Sequence, residues 1–216
     1  MRFETRSDAG RRLADRLAEL GLTDVVVLAL PRGGVPVALE VARRLAAPLD
    51  LVMVRKIGAP GHEELAAGAV VDGEQPELVL NTDIVRAYGI DAAYLDRERE
   101  RQLTEIARRR ALYLHGRPRA AVAGRTAIVV DDGVATGATV RAALQAVRRA
   151  QPRKLVLAVP VADSKVLTRL AAEADQIVCL HPTESLRSVG QFYRDFSQVD
   201  DAEVIAMLAD AGLVEH

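Results

Sequence analysis

Scarcity narrows what this 216-residue chain can be: it has one cysteine, no tryptophan, three phenylalanines and four tyrosines. A lone Cys forms no internal disulfide and suits a reducing compartment. Cys179 lies in the apolar run Ile177-Val178-Cys179-Leu180, so it reads as a buried strand residue rather than a nucleophile. No stretch approaches the roughly 20 apolar residues that span a bilayer. Met1-Arg2-Phe3-Glu4-Thr5-Arg6 holds no apolar signal core, and the expectation is a cytoplasmic protein with no membrane partner. An excess of charge is missing too, since 29 basic residues face 30 acidic ones, which removes any global pull toward nucleic acid. No Gly-x-x-x-x-Gly-Lys-Ser/Thr loop and no Gly-x-Gly-x-x-Gly is present, and position 66, where a His-Glu-x-x-His zinc site starting at His62 needs its second His, is Ala66. Both large nucleotide-binding classes and that zinc class lose weight. Neither an internal repeat nor a low-complexity tail is found.

What is there centres on Ala127-Ile128-Val129-Val130-Asp131-Asp132-Gly133-Val134-Ala135-Thr136-Gly137-Ala138-Thr139-Val140. A β-branched run ending in two carboxylates, then a small-residue loop opening into a helical pattern, predicts a buried parallel strand, a turn and a helix. Small residues from Gly133 to Ala138 let backbone N–H groups converge on an anion at a helix N-terminus, and Thr136 and Thr139 add hydroxyl donors. Asp131 and Asp132 would repel a phosphate set against them, so they suit neighbouring hydroxyl groups instead. A ligand with a phosphate near a vicinal diol, such as ribose 5-phosphate, satisfies both halves. The bland alternative is a strand end followed by a Thr cap.

Four apolar residues, two acids and Gly-x-x-Thr-Gly-x-Thr resemble the phosphoribosyl pyrophosphate (PRPP) signature of the type I phosphoribosyltransferase family, with every defining position filled. The resemblance implies a five-stranded parallel core, Asp131 and Asp132 on the ribose hydroxyls, and Gly133, Val134, Ala135, Thr136, Gly137, Ala138 and Thr139 around the 5-phosphate.

Earlier in the chain, Ser7 or Asp8 can cap a helix with Leu13, Leu17 and Leu20 at helical spacing and Gly21 at its stop. A strand at Val25 to Leu30 runs into Pro31-Arg32-Gly33-Gly34-Val35-Pro36 and a helix from Val37 to Leu45. An Arg beside two glycines can clasp a phosphate while the backbone closes in, and in the resembled family this loop binds pyrophosphate; an ordinary tight turn with a surface Arg is the alternative. A strand from Leu49 to Val54 ends at Arg55-Lys56, which would point to the ligand-binding edge of an open α/β sheet. Lys56, with Arg55 beside it, would neutralise departing pyrophosphate. Gly58 to Glu64 reads as irregular and resembles the family's flexible loop, whose closure would exclude water; His62 or Glu63 could touch substrate or simply face solvent.

Ala67 to Val71 and Glu77 to Asn81 read as a two-stranded ribbon around the turn Asp72-Gly73-Glu74-Gln75-Pro76. Asp91 caps a long helix through Tyr113 bearing Arg97, Arg99, Arg101, Arg108, Arg109 and Arg110. Interleaved acids, such as Glu105 four residues before Arg109, favour a solvated or subunit-interface helix over RNA binding; in a homodimer it could bring an Arg to the neighbouring site. Strands at Lys154 to Val161 and Gln176 to Leu180, with a helix at Ser164 to Ala172 between them, complete a doubly wound, mainly parallel sheet. Beyond it, Phe192, Tyr193 and Phe196 crowd into five residues. They could stack an acceptor heterocycle opposite Val161, Ala162 and Asp163, or anchor a small C-terminal hood to the core. Asp200 or Asp201 caps a closing helix to about Ala211, with Gly212 beyond.

The expectation is one phosphoribosyltransferase-like unit over 1–216, with a long-helix insertion at about 82–123 and a hood at about 181–216. It would be a Mg²⁺-dependent enzyme of nucleotide metabolism, transferring ribose 5-phosphate from PRPP to a nitrogenous base or related acceptor and releasing pyrophosphate. Mg²⁺ would be held by the donor and by water on Asp131 or Asp132, without direct protein ligands. A non-catalytic PRPP or nucleotide sensor is the alternative, and a hydrolase holding metal on its acidic pair is the weaker third reading.

Overall fold

The structure is a computed structural model that describes residues 2–73 and 76–210. Its main sheet has five strands in the order β2-β1-β6-β7-β8, with β1 Val25–Ala29, β2 Leu49–Leu51, β6 Thr126–Val130, β7 Lys154–Asp163 and β8 Gln176–Thr183. Every neighbouring pair is parallel. Residues Val25 to Ala29 and Thr126 to Val130 are buried throughout, as expected of strands covered by helices on both faces. Those helices are α1 Arg6–Ala18, α2 Gly34–Leu45, α5 Ala138–Arg149 and α6 Ser164–Leu170, and α7 Asp201–Asp210 packs outside them on α2.

A second sheet of three antiparallel strands contains β3 Val54–Ala59, β4 His62–Val71 and β5 Glu77–Leu80. It is followed by α3 Thr82–Ala87 and the long helix α4 Ala92–Leu114. Ile57 and Val70 of this sheet join the apolar cluster that includes Leu95 and Ile106 of α4. Ala69 and Val71 join the cluster built on Val140, Leu144 and Val147 of α5. The small sheet therefore has α4 on one face and α5 on the other.

Several expectations change. Thr5, rather than Ser7 or Asp8, caps α1, its hydroxyl accepting from the Asp8 amide. Helix α2 starts at Gly34, because Pro36 falls in a first turn whose amides need no intrahelical partner. The strand expected over Leu49 to Val54 is two elements: β2 ends at Leu51, and Arg55-Lys56 lie inside β3 of the other sheet. The stretch from Gly58 to Glu64 is the hairpin joining β3 to β4, turned at Pro60-Gly61, where Gly61 takes φ +74°. Gly58 marks a close approach, since a Cβ on it would lie 2.6 Å from the Cα of Glu63. Strand β8 runs on through His181 and Pro182, beyond the expected boundary of the hood. Asp91 caps α4 as expected. Asp200 caps α7 and exchanges bonds reciprocally with Glu203. Glu74, Gln75, Ala211 and Gly212 lie outside the described residues.

An ion network fastens α4 to both sheets. Arg110 donates to both Asp50 carboxylate oxygens, at 2.8 and 3.1 Å, and to Asp72 at 3.4 Å. Asp72 also accepts from Arg119 at 2.7 Å and from the Met53 amide at 2.7 Å.

Candidate functional site

Two strand ends meet at the centre of the main sheet. Ala29 of β1 is in register with Val130 of β6, and the Leu30 amide donates to the Val130 carbonyl at 2.9 Å. The loops that follow, Pro31-Arg32-Gly33-Gly34 and Asp131-Asp132-Gly133, consequently lie side by side. Their packing leaves no room for side chains on the glycines. A Cβ on Gly33 would sit 2.1 Å from Asp132 Oδ2, and one on Gly34 would sit 2.8 Å from the Val130 carbonyl oxygen.

Beyond the acids, Val134 bridges to β7, its amide donating to Val161 at 2.9 Å while its carbonyl accepts from Asp163 at 3.1 Å. That bridge fixes the start of a cup whose rim is Ala135, Thr136 and Gly137. Gly137 adopts φ +81° as the cap of α5 and contributes no side-chain bond to it. The first-turn amides of α5 are thus left facing outward, the usual state of a helix start and a ready anion site. Thr136 is exposed and Thr139 half-buried, so both hydroxyls sit where a ligand can reach them.

Sequence reasoning missed Arg6. Its Nε lies 2.8 Å from Asp132 Oδ2, its Nη1 donates to the Ser197 carbonyl at 2.7 Å, and its guanidinium rests 3.8 Å above the Phe196 ring. Burial pushes Asp131 well above the ordinary carboxylate range, and the adjacent Asp132 charge adds to the shift. Burial also raises Asp132, against the lowering influence of Arg6. The pair thus resists carrying two charges at once unless a ligand brings donors or cations.

Side-chain directions separate Arg55 from Lys56, adjacent cations expected to act together. They are consecutive on β3 and so point to opposite faces. Arg55 faces α4, donating from Nε to Gln102 at 3.0 Å. Lys56 lies in register with Ala69, on the face that packs on α5, and is exposed. Arg32 is half-buried and directs Nη1 toward Asp201 of α7 at 3.4 Å; Asp201 also accepts from the Tyr113 hydroxyl at 2.6 Å.

All three phenylalanines gather with Tyr193 in one cluster, Phe3 included. Tyr193 is only 2% exposed and its hydroxyl donates to the Asp132 carbonyl at 2.6 Å. Burial drives that hydroxyl's pKa upward. Phe3 pairs its backbone with Phe192 and Arg194, binding the hood to the N-terminal segment. Anchoring therefore describes Tyr193, and Val161 is equally enclosed. Phe192, Phe196 and Asp163 keep partial exposure, and Asp163 also caps α6. Nothing local in the sequence marks Phe3, whose backbone partners Phe192 and Arg194 lie near the other end of the chain.

A parallel sheet with an acid pair and a glycine-capped helix start at its carboxyl edge is an open α/β architecture, the class that binds ligands at that edge. Residues 4–195 match the family model for the phosphoribosyl transferase domain, and the chain belongs to that family, with the type I phosphoribosyltransferase fold. It is 50% identical to the protein TT1426 from Thermus thermophilus, whose crystal structure superposes with a TM-score of 0.83 over 97% of this chain and 99% of that one. The AQ2163 protein of Aquifex aeolicus, at 15% identity and a TM-score of 0.51, covering 86% of this chain and 78% of that one, shares the fold. A Mycobacterium tuberculosis protein provisionally named a phosphoribosyl transferase is 49% identical over 220 residues, 99% of this chain and 49% of that protein. The chain spans about half the length of the curated relatives it matches. Among the described residues no helix is long and apolar enough to cross a membrane.

Proposed function

We infer that the protein transfers the ribose 5-phosphate group of PRPP to a nitrogen acceptor, with release of pyrophosphate. The observation carrying this reading is the contact of Gly33 with Asp132, which sets the Arg32-Gly33-Gly34 loop against the acid pair in a chain of this family. In this reading residues 1–216 act as one such unit, with 82–123 as an insertion and 181–216 as its hood, and the setting is cytoplasmic nucleotide metabolism.

The 5-phosphate takes the cup from Gly133 to Thr139, and the ribose hydroxyls donate to Asp131 and Asp132. The diphosphate lies along the backbone of Arg32, Gly33 and Gly34, with Lys56 reaching it from β3. A Mg²⁺ ion would keep most of its waters and be held chiefly by the donor's phosphates. Asp131 or Asp132 would reach it through water, and no three of His, Cys, Asp and Glu gather among the described residues. When bound, the ion neutralises charge on the diphosphate.

In the transfer, an acceptor nitrogen forms a bond to C1 as the bond from C1 to the diphosphate oxygen breaks. The electron pair leaves with pyrophosphate and the nitrogen loses a proton. The passing positive charge on the ribose lies near Asp131 and Asp132, so orientation and charge neutralisation carry the catalysis. Phe192 and Phe196, across from Asp163, form the acceptor side. Tyr193 and Val161 support it from within.

Calorimetric titration with PRPP and Mg²⁺, then incubation with purines, pyrimidines and other nitrogen acceptors while pyrophosphate is monitored, tests this reading. Binding followed by acceptor-dependent release is expected. Binding with no release from any acceptor would favour a sensor, and no binding would remove the assignment of Asp131 to Thr139.

A further inference from the structure

The acid pair Asp131-Asp132 bonds one protein cation among the described residues, and that cation comes from the far end of the sequence. Arg6 opens α1, directly after the Thr5 cap. Its side chain and that of Asp132 are 12% and 13% exposed. Three contacts fix the guanidinium: Nε on Asp132 Oδ2 at 2.8 Å, Nη1 on the Ser197 carbonyl at 2.7 Å, and the Phe196 ring 3.8 Å from the guanidinium carbon. An Arg held by a carbonyl and an aromatic face keeps a carboxylate in one orientation, which a freely swinging cation does not.

Arg6 acts on the two acids unequally. Asp132 Oδ2 takes the Arg6 bond and faces Gly33, where a Cβ would come within 2.1 Å, so this oxygen is closed to a ligand. Asp132 Oδ1 receives no side-chain donor among the described residues. Asp131 accepts the Asp132 amide at 2.9 Å and has no cation bonded to it. Burial raises the pKa of both acids, and only on Asp132 does a hydrogen bond from Arg6 work against it. Two further ionisable groups adjoin the contact. The Tyr193 hydroxyl is spent on the Asp132 carbonyl, and Asp195 is an exposed carboxylate of the hood near Arg6. Arg32, from the neighbouring loop, turns instead to Asp201.

We propose that Arg6 is a positioning residue for the acid pair: clamped by the hood, it pins Oδ2 of Asp132 and holds that side chain as a carboxylate whose Oδ1 accepts a ligand hydroxyl. Arg6 touches no ligand in this role. The clamp also ties the hood to the site. The Phe3 amide donates to the Phe192 carbonyl and the Phe3 carbonyl accepts from Arg194, both at 2.8 Å, while the Glu4 carbonyl accepts from Asp195 at 3.0 Å. The segment carrying Phe196 and Ser197 is therefore laced to the segment carrying Arg6. The pinning of Asp132 stands on this geometry, whereas the naming of the hydroxyl as one of ribose rests on the transferase reading.

The test is a nuclear magnetic resonance titration of isotope-labelled aspartate carboxyl groups in the full chain. Wild type is compared with Arg6→Gln and Arg6→Lys, circular dichroism establishes that each is folded, and the single variants Asp131→Asn and Asp132→Asn assign the two resonances. Expected is an Asp132 midpoint that rises by about one pH unit in Arg6→Gln, on the order of a tenfold change in proton affinity for one lost charge-assisted bond. Arg6→Lys, which keeps the charge and loses the fork, should shift it less, and it carries the comparison where Arg6→Gln does not fold. Calorimetry with ribose 5-phosphate is the second readout. The pH below which binding weakens should move upward by the same interval in Arg6→Gln, and the affinity lost at lower pH should return at higher pH; a role confined to packing would lower affinity equally at every pH. An unchanged Asp132 midpoint in the folded variants, or an affinity loss that does not vary with pH, would overturn the proposal. A shifted midpoint with no ribose 5-phosphate binding by any form, wild type included, would uphold the clamp and count against the transferase reading only.

Discussion

Gly33 and Asp132 touch so closely that a methyl group on the glycine would lie 2.1 Å from the carboxylate oxygen Oδ2, the same oxygen that Arg6 Nε engages at 2.8 Å. Gly33→Ala must therefore move either the loop or the acid. Overpacking costs about 1–3 kcal/mol of stability, and a displacement of about 1 Å at reacting groups can cost about a hundredfold in rate. Urea unfolding should show the modest loss and PRPP-dependent turnover the large one. Turnover within twofold of wild type would detach the loop contact from catalysis.

Asp131 carries a pH signature. Its pKa is raised in the folded protein by burial and by Asp132, so the native state holds a proton that the unfolded chain has released above the ordinary carboxylate range. Stability contributed by that proton is complete below the unfolded pKa and is lost as pH rises through the raised folded value. Asp131→Asn should flatten the decline and be more stable than wild type toward neutral pH, while losing PRPP binding. Melting temperatures across pH 4 to 8 check the first half and calorimetry the second.

Lys56→Ala should slow turnover far more than it weakens binding of ribose 5-phosphate, because Lys56 lies on the α5-facing side of β3 and is assigned to the leaving group. Equal losses in both quantities would argue against that role.

Arg110 holds two carboxylates that are nearly shut off from water, with the side chains of Asp50 and Asp72 8% and 2% exposed. Arg110→Ala strips a cation from this network, and breaking a buried pair on one side costs about 3–5 kcal/mol. Arg119 still reaches Asp72, so the lower end of that range is expected in denaturant titration.

The aromatics should divide. Tyr193→Phe removes the donor to the Asp132 carbonyl and should cost about 1–3 kcal/mol through the unsatisfied oxygen, with a matching fall in melting temperature. Phe192→Ala should weaken nucleotide or acceptor binding and spare PRPP. Unchanged nucleotide affinity would move the acceptor pocket elsewhere.

The parallel core was legible because buried strands such as Val25–Ala29 and Thr126–Val130 are continuous β-branched and apolar runs ending in glycine-bearing loops. The loop after β6 and the helix start at Ala138 were legible from their small residues, with Gly137 at a positive φ. The boundary between β2 and β3 was not: Leu49 to Val54 reads as one apolar run, and nothing local says that Val52 and Met53 carry the chain between sheets. The β3–β4 turn was obscured by its own glycines, Gly58 serving a close backbone approach and Gly61 a left-handed turn position rather than looseness. Arg6 escaped because its partner Asp132 is 126 residues away. In α4, the acids spaced for surface pairs hid Gln102, Ile106 and Arg110, which turn inward.

The single peptide unit between Arg55 and Lys56 acts as a partition. Strand pleating sends one cation to the compartment walled by α4 and the next to the compartment walled by α5, so two charges adjacent in the chain serve surroundings that do not communicate directly. A one-residue deletion ahead of β3 that slid its register by one would exchange them, turning the ammonium toward α4 and the guanidinium toward α5. The spacing from Met53 to Lys56 thus behaves as a ruler, and its length matters as much as the identity of the charges it carries.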